Sequence, residues 1–142
     1  MRTGSPRPRT PEAAGFRLNV RPGLFAVARL SPRAKIPAWA LRDEFHSITR
    51  TATELSIVCR QDRVPAGVRR QDGLRCLEVL GPLAFDAIGV LSSLVLPLAT
   101  ARISILAIST FDTDLLFVPR ARFAAAVRAL ERTGHRVAEA VE

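Results

Sequence analysis

The chain is 142 residues long, 48% hydrophobic and of mean hydropathy +0.15. That is material for one ordinary domain or two very small ones sharing a core, and it excludes wholesale disorder. The formal charge of +8 and pI of about 11.4 would raise nucleic acid or an anionic surface as partners, but Lys35 is the only lysine among 21 basic residues and residues 1–22 hold +4 of the excess, so the body is only mildly basic.

Residues 1–15, rich in Pro, Arg, Thr and Gly, read as a flexible basic tail or the product of a misplaced start, and 139–142 as a short C-terminal tail. Phe16 to Val20 alternates apolar and polar residues, a strand, which Arg21-Pro22-Gly23 is expected to break. Leu24 to Leu30 is a second strand, ended by Ser31-Pro32-Arg33. Ile36 to Arg42, with Pro37 near its start, suits a one- or two-turn helix with Trp39 as a core anchor. Phe45 to Thr51 and Leu55 to Cys59 are strands turned by Thr51-Ala52-Thr53-Glu54, and in the second Leu55, Ile57 and Cys59 share a face. Arg60 to Arg70, containing Pro65 and Gly67, reads as a loop with a short helical turn at most.

The second half is more regular. Leu74 to Leu80 is a strand and Gly81 to Asp86 a loop. A helix is predicted from about Ala87 to Ala101, with Ile88, Leu91, Val95 and Leu98 on one face and a bend near Ser93 caused by Pro97. Two strands within Ile103 to Val118 flank a polar knot, Ser109 to Asp114, and Pro119 closes the pair. The last helix, about Ala121 to Arg132, turns Phe123, Ala126, Val127 and Leu130 to one side, Gly134 stops it at C′, and His135-Arg136-Val137 forms a final strand. The expected class is therefore α+β: a ferredoxin-like βαββαβ domain over residues 73–138, preceded by a related but degenerate half over 16–72.

Chemistry is expected where two distant features meet. The start of helix 87–101 offers unpaired N–H groups and a positive dipole end, and Gly89 lets a ligand approach the backbone. In a split βαβ unit this start lies near the end of strand Ile103 to Ser109, beside the knot. One feature offers donors for a carboxylate and the other offers carboxylates and carbonyls for an ammonium, so a free α-amino acid would satisfy both. Asp112 and Asp114 beside such a pocket would favour a cationic or hydroxylated side chain, with Asp112 read as solvated.

The segment Leu74 to Val137 resembles an ACT domain, a small regulatory module that binds amino acids. The residues that carry the resemblance are Gly81-Pro82, Gly89-Val90 and the run Ile103 to Thr110 followed by Asp114, which is similar to the ligand-site strand of aspartokinase regulatory domains. The whole body, including Phe25-Ala26-Val27 and Ala38-Trp39-Ala40, resembles small stand-alone bacterial proteins with tandem ACT-like halves, themselves similar to the arginine-sensing CASTOR proteins of animals. The resemblance implies an amino acid held where two ACT units pack side by side, often across a homodimer interface, with an unidentified protein regulated in turn. The matching ligand-binding positions are Asp86, Ala87, Ile88 and Gly89 at the helix start and Ser109, Thr110, Phe111 and Asp114 opposite, Asp114 facing the ammonium. One departure stands out: relatives commonly place glycine at the end of the first helix, where this chain has Arg102, and a left-handed arginine there costs about 1 kcal/mol.

Competing classes are weaker. A βαββαβ topology also serves RNA recognition, but the chain has no tyrosine and no basic-Gly-aromatic strand to stack bases on. No catalytic triad, P-loop, dinucleotide fingerprint or metal-ligand spacing is present, so neither an enzyme nor a cofactor is expected, and a structural or surface role is read for His46 and His135. An adaptor without a small ligand remains the other alternative. Cys59 and Cys76 sit in apolar runs and read as buried thiols of a cytoplasmic protein. No apolar run reaches membrane-spanning length, and residues 1–15 lack the apolar core of a secretory signal.

Overall fold

A computed structural model describes residues 15–84 and 86–138; the expected tails at 1–14 and 139–142 lie outside the described residues, as does Phe85. The strands are β1 (Arg17–Leu30), β2 (Ser47–Arg50), β3 (Leu55–Arg60), β4 (Arg70–Val79), β5 (Leu106–Ser109), β6 (Asp114–Pro119) and β7 (Arg136–Ala138). The α-helices are α1 (Val90–Thr100) and α2 (Phe123–Arg132), and 3-10 turns occupy Ala38–Leu41, Gln61–Arg63 and Arg120–Arg122. No described helix is long and apolar enough to cross a membrane. Contacts divide the chain into two units, one made of residues up to Pro22 with those from Cys76 onward, the other of Gly23–Arg75. The chain crosses between them inside β1 and β4, not in a linker.

The expected break at Arg21-Pro22-Gly23 does not occur. Gly23 takes a left-handed conformation (φ 86°) within one continuous β1. A glycine without Cβ can bend a strand and leave the ladder on either side intact, and the Arg60 side chain lies where a Cβ would stand.

In unit Gly23–Arg75, β3 pairs antiparallel with both β1 and β2. Ala26, Ala28, Leu55, Ile57 and Cys59 form its core, with Ala40, Val64 and the partly buried Trp39. Proline-bearing loops lack some backbone donors, and arginines answer their carbonyls. Arg50 donates to Pro32 and Ala34 (2.7 Å to the latter), and Arg70 to Val64 (2.7 Å), Val68 (3.2 Å) and Pro65. Arg63 grips Asp43 with two bonds of 3.0 Å, which holds the Asp43 carboxyl below its ordinary range. Arg50, Arg63 and Arg70 therefore cross-link this unit's own loops.

In the other unit the strand order is β7-β1-β4-β6-β5. β7 runs parallel to the start of β1, with Arg17, Leu18 and Asn19 opposite Arg136, Val137 and Ala138. The Leu80 amide donates to the Arg17 carbonyl (2.8 Å), so β1 lies between the first and last strands of the βαββαβ run. Phe16, Leu18, Val20, Leu77, Val79, Leu116 and Val118 meet Val90, Leu94, Leu98, Ala126 and Leu130 of the two helices in one core.

Helix α1 starts three residues later than expected, after Gly89 at φ 81°. Ile88 therefore lies outside the helix, 89% exposed, and the buried stripe is Val90, Leu94 and Leu98. Both helices end in a Schellman motif. Ile103 and Arg102 donate to Leu98 (2.9 Å) and Ala99 (3.0 Å), and His135 and Gly134 to Leu130 and Glu131 (both 3.1 Å). Gly134 supplies the left-handed residue at φ 95°, whereas Arg102 does so as the one described non-glycine with positive φ (58°). Arg122 adds a bond to the Ala101 carbonyl (3.1 Å), a cation at the negative end of α1.

The second motif delivers His135, 5% exposed, into the core. The Phe16 amide can only donate, so His135 Nδ1 accepts from it (3.0 Å) and the ring proton sits on Nε2, which reaches the Ser93 carbonyl (3.1 Å). That carbonyl needs a donor, because its usual partner four residues on is Pro97, which has no N–H. His135 fills the gap left by Pro97 and stacks on the Phe16 ring (centroids 5.9 Å apart).

Candidate functional site

The knot between β5 and β6 is a braced turn. Ser109 and Asp114 are the last ladder pair, so their side chains share one face, and Ser109 Oγ donates to Asp114 Oδ1 at 2.5 Å. The Thr110 amide and hydroxyl both donate to the Thr113 carbonyl (2.8 and 3.0 Å), and the Thr113 amide returns to the Thr110 hydroxyl (3.2 Å). Thr113 Oγ1 donates to Val79 of β4 (2.5 Å), and the Leu83 amide to the Asp112 carbonyl (2.7 Å). A Cβ on Gly81 would stand 2.9 Å from that carbonyl, so the close approach of the two loops needs glycine. The hydroxyl protons of Ser109, Thr110 and Thr113 are all committed to these contacts. What is left for a ligand is acceptor: the carboxylate of Asp114, which is 8% exposed and makes no ion pair among the described residues.

The start of α1 offers the opposite chemistry. Ser93 is the first amide to bond back, to the Gly89 carbonyl (3.0 Å), which leaves the amides of Val90, Leu91 and Ser92 at the positive end of the dipole. The Ser92 hydroxyl also turns to the Gly89 carbonyl (3.0 Å).

Turn and helix start line one open cleft of about 660 Å³. It brings together Ala87, Gly89, Ser109, Thr110, Phe111 and Asp114 of the expected set. Asp86 and Ile88 are exposed and outside it, because residues 86–89 form a turn before the helix. Phe111 sits at the mouth, 78% exposed. Sequence reasoning missed Leu83 and the cleft-facing role of Leu91 and Val95, which lie on the α1 flank beside the buried stripe. Among the described residues no group of three or more His, Cys, Asp and Glu could hold a metal.

A family model for the ACT domain matches residues 69–132, and a second model, for an N-terminal domain, matches 23–67. A structurally solved protein of Agrobacterium tumefaciens is 41% identical over 92% of this chain and 97% of that one, with a TM-score of 0.86. The chain belongs to the ACT-domain family. Two more distant structures share the ACT-like fold. One is a Vibrio cholerae protein described as a possible transport protein (18% identity, TM-score 0.69, covering 84% of this chain and 91% of that one). The other is the regulatory subunit of aspartate kinase from Thermus flavus (10%, 0.60, 84% and 98%). No curated protein matches the chain. ACT domains are regulatory modules, and no catalytic domain is evident among the described residues.

Proposed function

We propose that this ACT protein is a non-catalytic sensor that binds a free α-amino acid in the cleft between the α1 start and the 109–114 turn. The observation that carries the reading is Asp114, a nearly buried carboxylate that makes no ion pair among the described residues, in the same cleft as helix-start amides that have no intrahelical acceptor. The ligand's carboxylate takes the amides of Val90 to Ser92 and its ammonium takes Asp114, helped by Ser109, Thr110 and the Phe111 ring at the mouth. The exposed Ile88 and Phe111 support closure by a second copy, hence a homodimer with the ligand at an ACT–ACT interface. Its output is a regulated protein partner, in the cytoplasm.

Calorimetry of the full chain against the common amino acids tests this. Binding of at least one, lost by about 30-fold or more in Asp114→Asn while Asp112→Asn changes little, is the expected result, since removing one partner of a buried charge pair costs about 2–5 kcal/mol. Absence of binding by every amino acid at millimolar concentration would overturn the proposal.

A further inference from the structure

Within that reading of the cleft, on which it rests, we infer that the ligand is an amino acid with an aliphatic side chain. Among the described residues, the charged side chains that line the cleft are Asp112 and Asp114, both acidic, and no basic side chain lines it. An acidic ligand side chain would therefore meet repulsion and no partner. A cationic side chain needs a second carboxylate once Asp114 holds the α-ammonium. Asp112 is exposed at the tip of the turn, where water screens such a pair to little net gain. Beside the hydroxyls of Ser92, Ser109, Thr110 and Thr113, whose protons are already donated within the protein, the large side chains of the wall are apolar: Leu83 from the loop after β4, and Leu91 and Val95 one turn apart on α1.

Leu91 and Val95 pack against the core only in part. Val90, Leu94 and Leu98 already bury α1 against the sheet, and the neighbouring stripe stays half-exposed along the cleft. Partly exposed apolar surface aimed into a polar-ended cleft gains most from a ligand that removes it from water.

The test is a thermal-shift and calorimetric series on the full chain: glycine, alanine, 2-aminobutyrate, norvaline and leucine, with norleucine compared against lysine and 2-aminobutyrate against aspartate. Affinity should rise about fourfold per methylene until the wall is covered. Norleucine should exceed lysine, and 2-aminobutyrate exceed aspartate, each by about tenfold or more. Leu91→Ala and, should that variant fold poorly, Val95→Ala should flatten the rise with chain length while glycine binding holds. Lysine, arginine or aspartate binding as tightly as the aliphatic series, or a flat series in the native protein, would overturn the inference and leave the site standing. Binding by no amino acid removes the site reading itself, and the inference with it.

Discussion

Replacing His135 by phenylalanine should reveal how a helix can carry proline in its third turn. The substitution keeps a ring against Phe16 but removes both nitrogens, leaving the Phe16 amide and the Ser93 carbonyl without the partners now at 3.0 and 3.1 Å. Each buried orphan costs about 1–3 kcal/mol, so His135→Phe should cost about 2–6 kcal/mol in all. The carbonyl's share exists only because residue 97 is proline. In Pro97→Ala the new amide can return to Ser93 as in any helix, and that share disappears. A double-mutant cycle of the two changes, read from urea midpoints, should therefore show a coupling of about 1–2 kcal/mol, with His135→Phe less harmful in the Pro97→Ala background. Additivity to within about 0.5 kcal/mol would refute the reasoning, because it would mean that the imidazole proton does nothing for the carbonyl proline abandons.

The two Schellman ends give opposite expectations from the same geometry. Arg102→Gly should raise stability by about 0.5–1 kcal/mol, the relief of a left-handed side chain less the extra freedom of glycine in the unfolded chain, and Gly134→Ala should lower it by about 1 kcal/mol; equal effects of the same sign in urea unfolding would contradict the φ values. Burial pushes the Cys76 thiol up to about 12 and that of Cys59 up to about 11, so at pH 8 roughly one Cys59 in a thousand is thiolate. Neither should react with a disulfide reagent until urea unfolds the chain, and a fast native-state thiol would show that one of them is accessible.

How much of this could be read beforehand depends on how far each feature reaches in space. The order strand, helix, strand, strand, helix, strand after Leu74 follows from local periodicity and from Gly134, and it stands. The left-handed residue at 102 was legible only through the resemblance, which places glycine there in relatives; the turn persists with arginine in that slot. Continuity of β1 was not legible: Pro22-Gly23 is a turn signal locally, and only pairing partners on both sides hold the strand through it. The placement of β1 beside β7 rests on contacts more than a hundred residues apart. The partner of Ser93 was hidden for the same reason. Pro97 announces that a carbonyl is orphaned, but not that a histidine 42 residues later will answer it.

Helix α1 shows where periodicity stops being decisive. Its sequence, VLSSLVLPLAT, is apolar on most of its circumference, so stripes 90-94-98 and 91-95 both satisfy a 3.6-residue repeat. Choosing Ile88, Leu91, Val95 and Leu98 as the buried face merged the two and pulled the helix start back to include Ile88. The choice between them is made by the start itself: with Gly89 left-handed, the first helical side chain is Val90, and it points into the core. Once one stripe is buried, the other packs against the core only in part and keeps an exposed edge. Apolar surface left partly exposed suits an occupant or a partner, and here Leu91 and Val95 line the same cleft as Asp114. The same excess that blurred the secondary-structure reading is thus what distinguishes the cleft from an ordinary groove at a helix start.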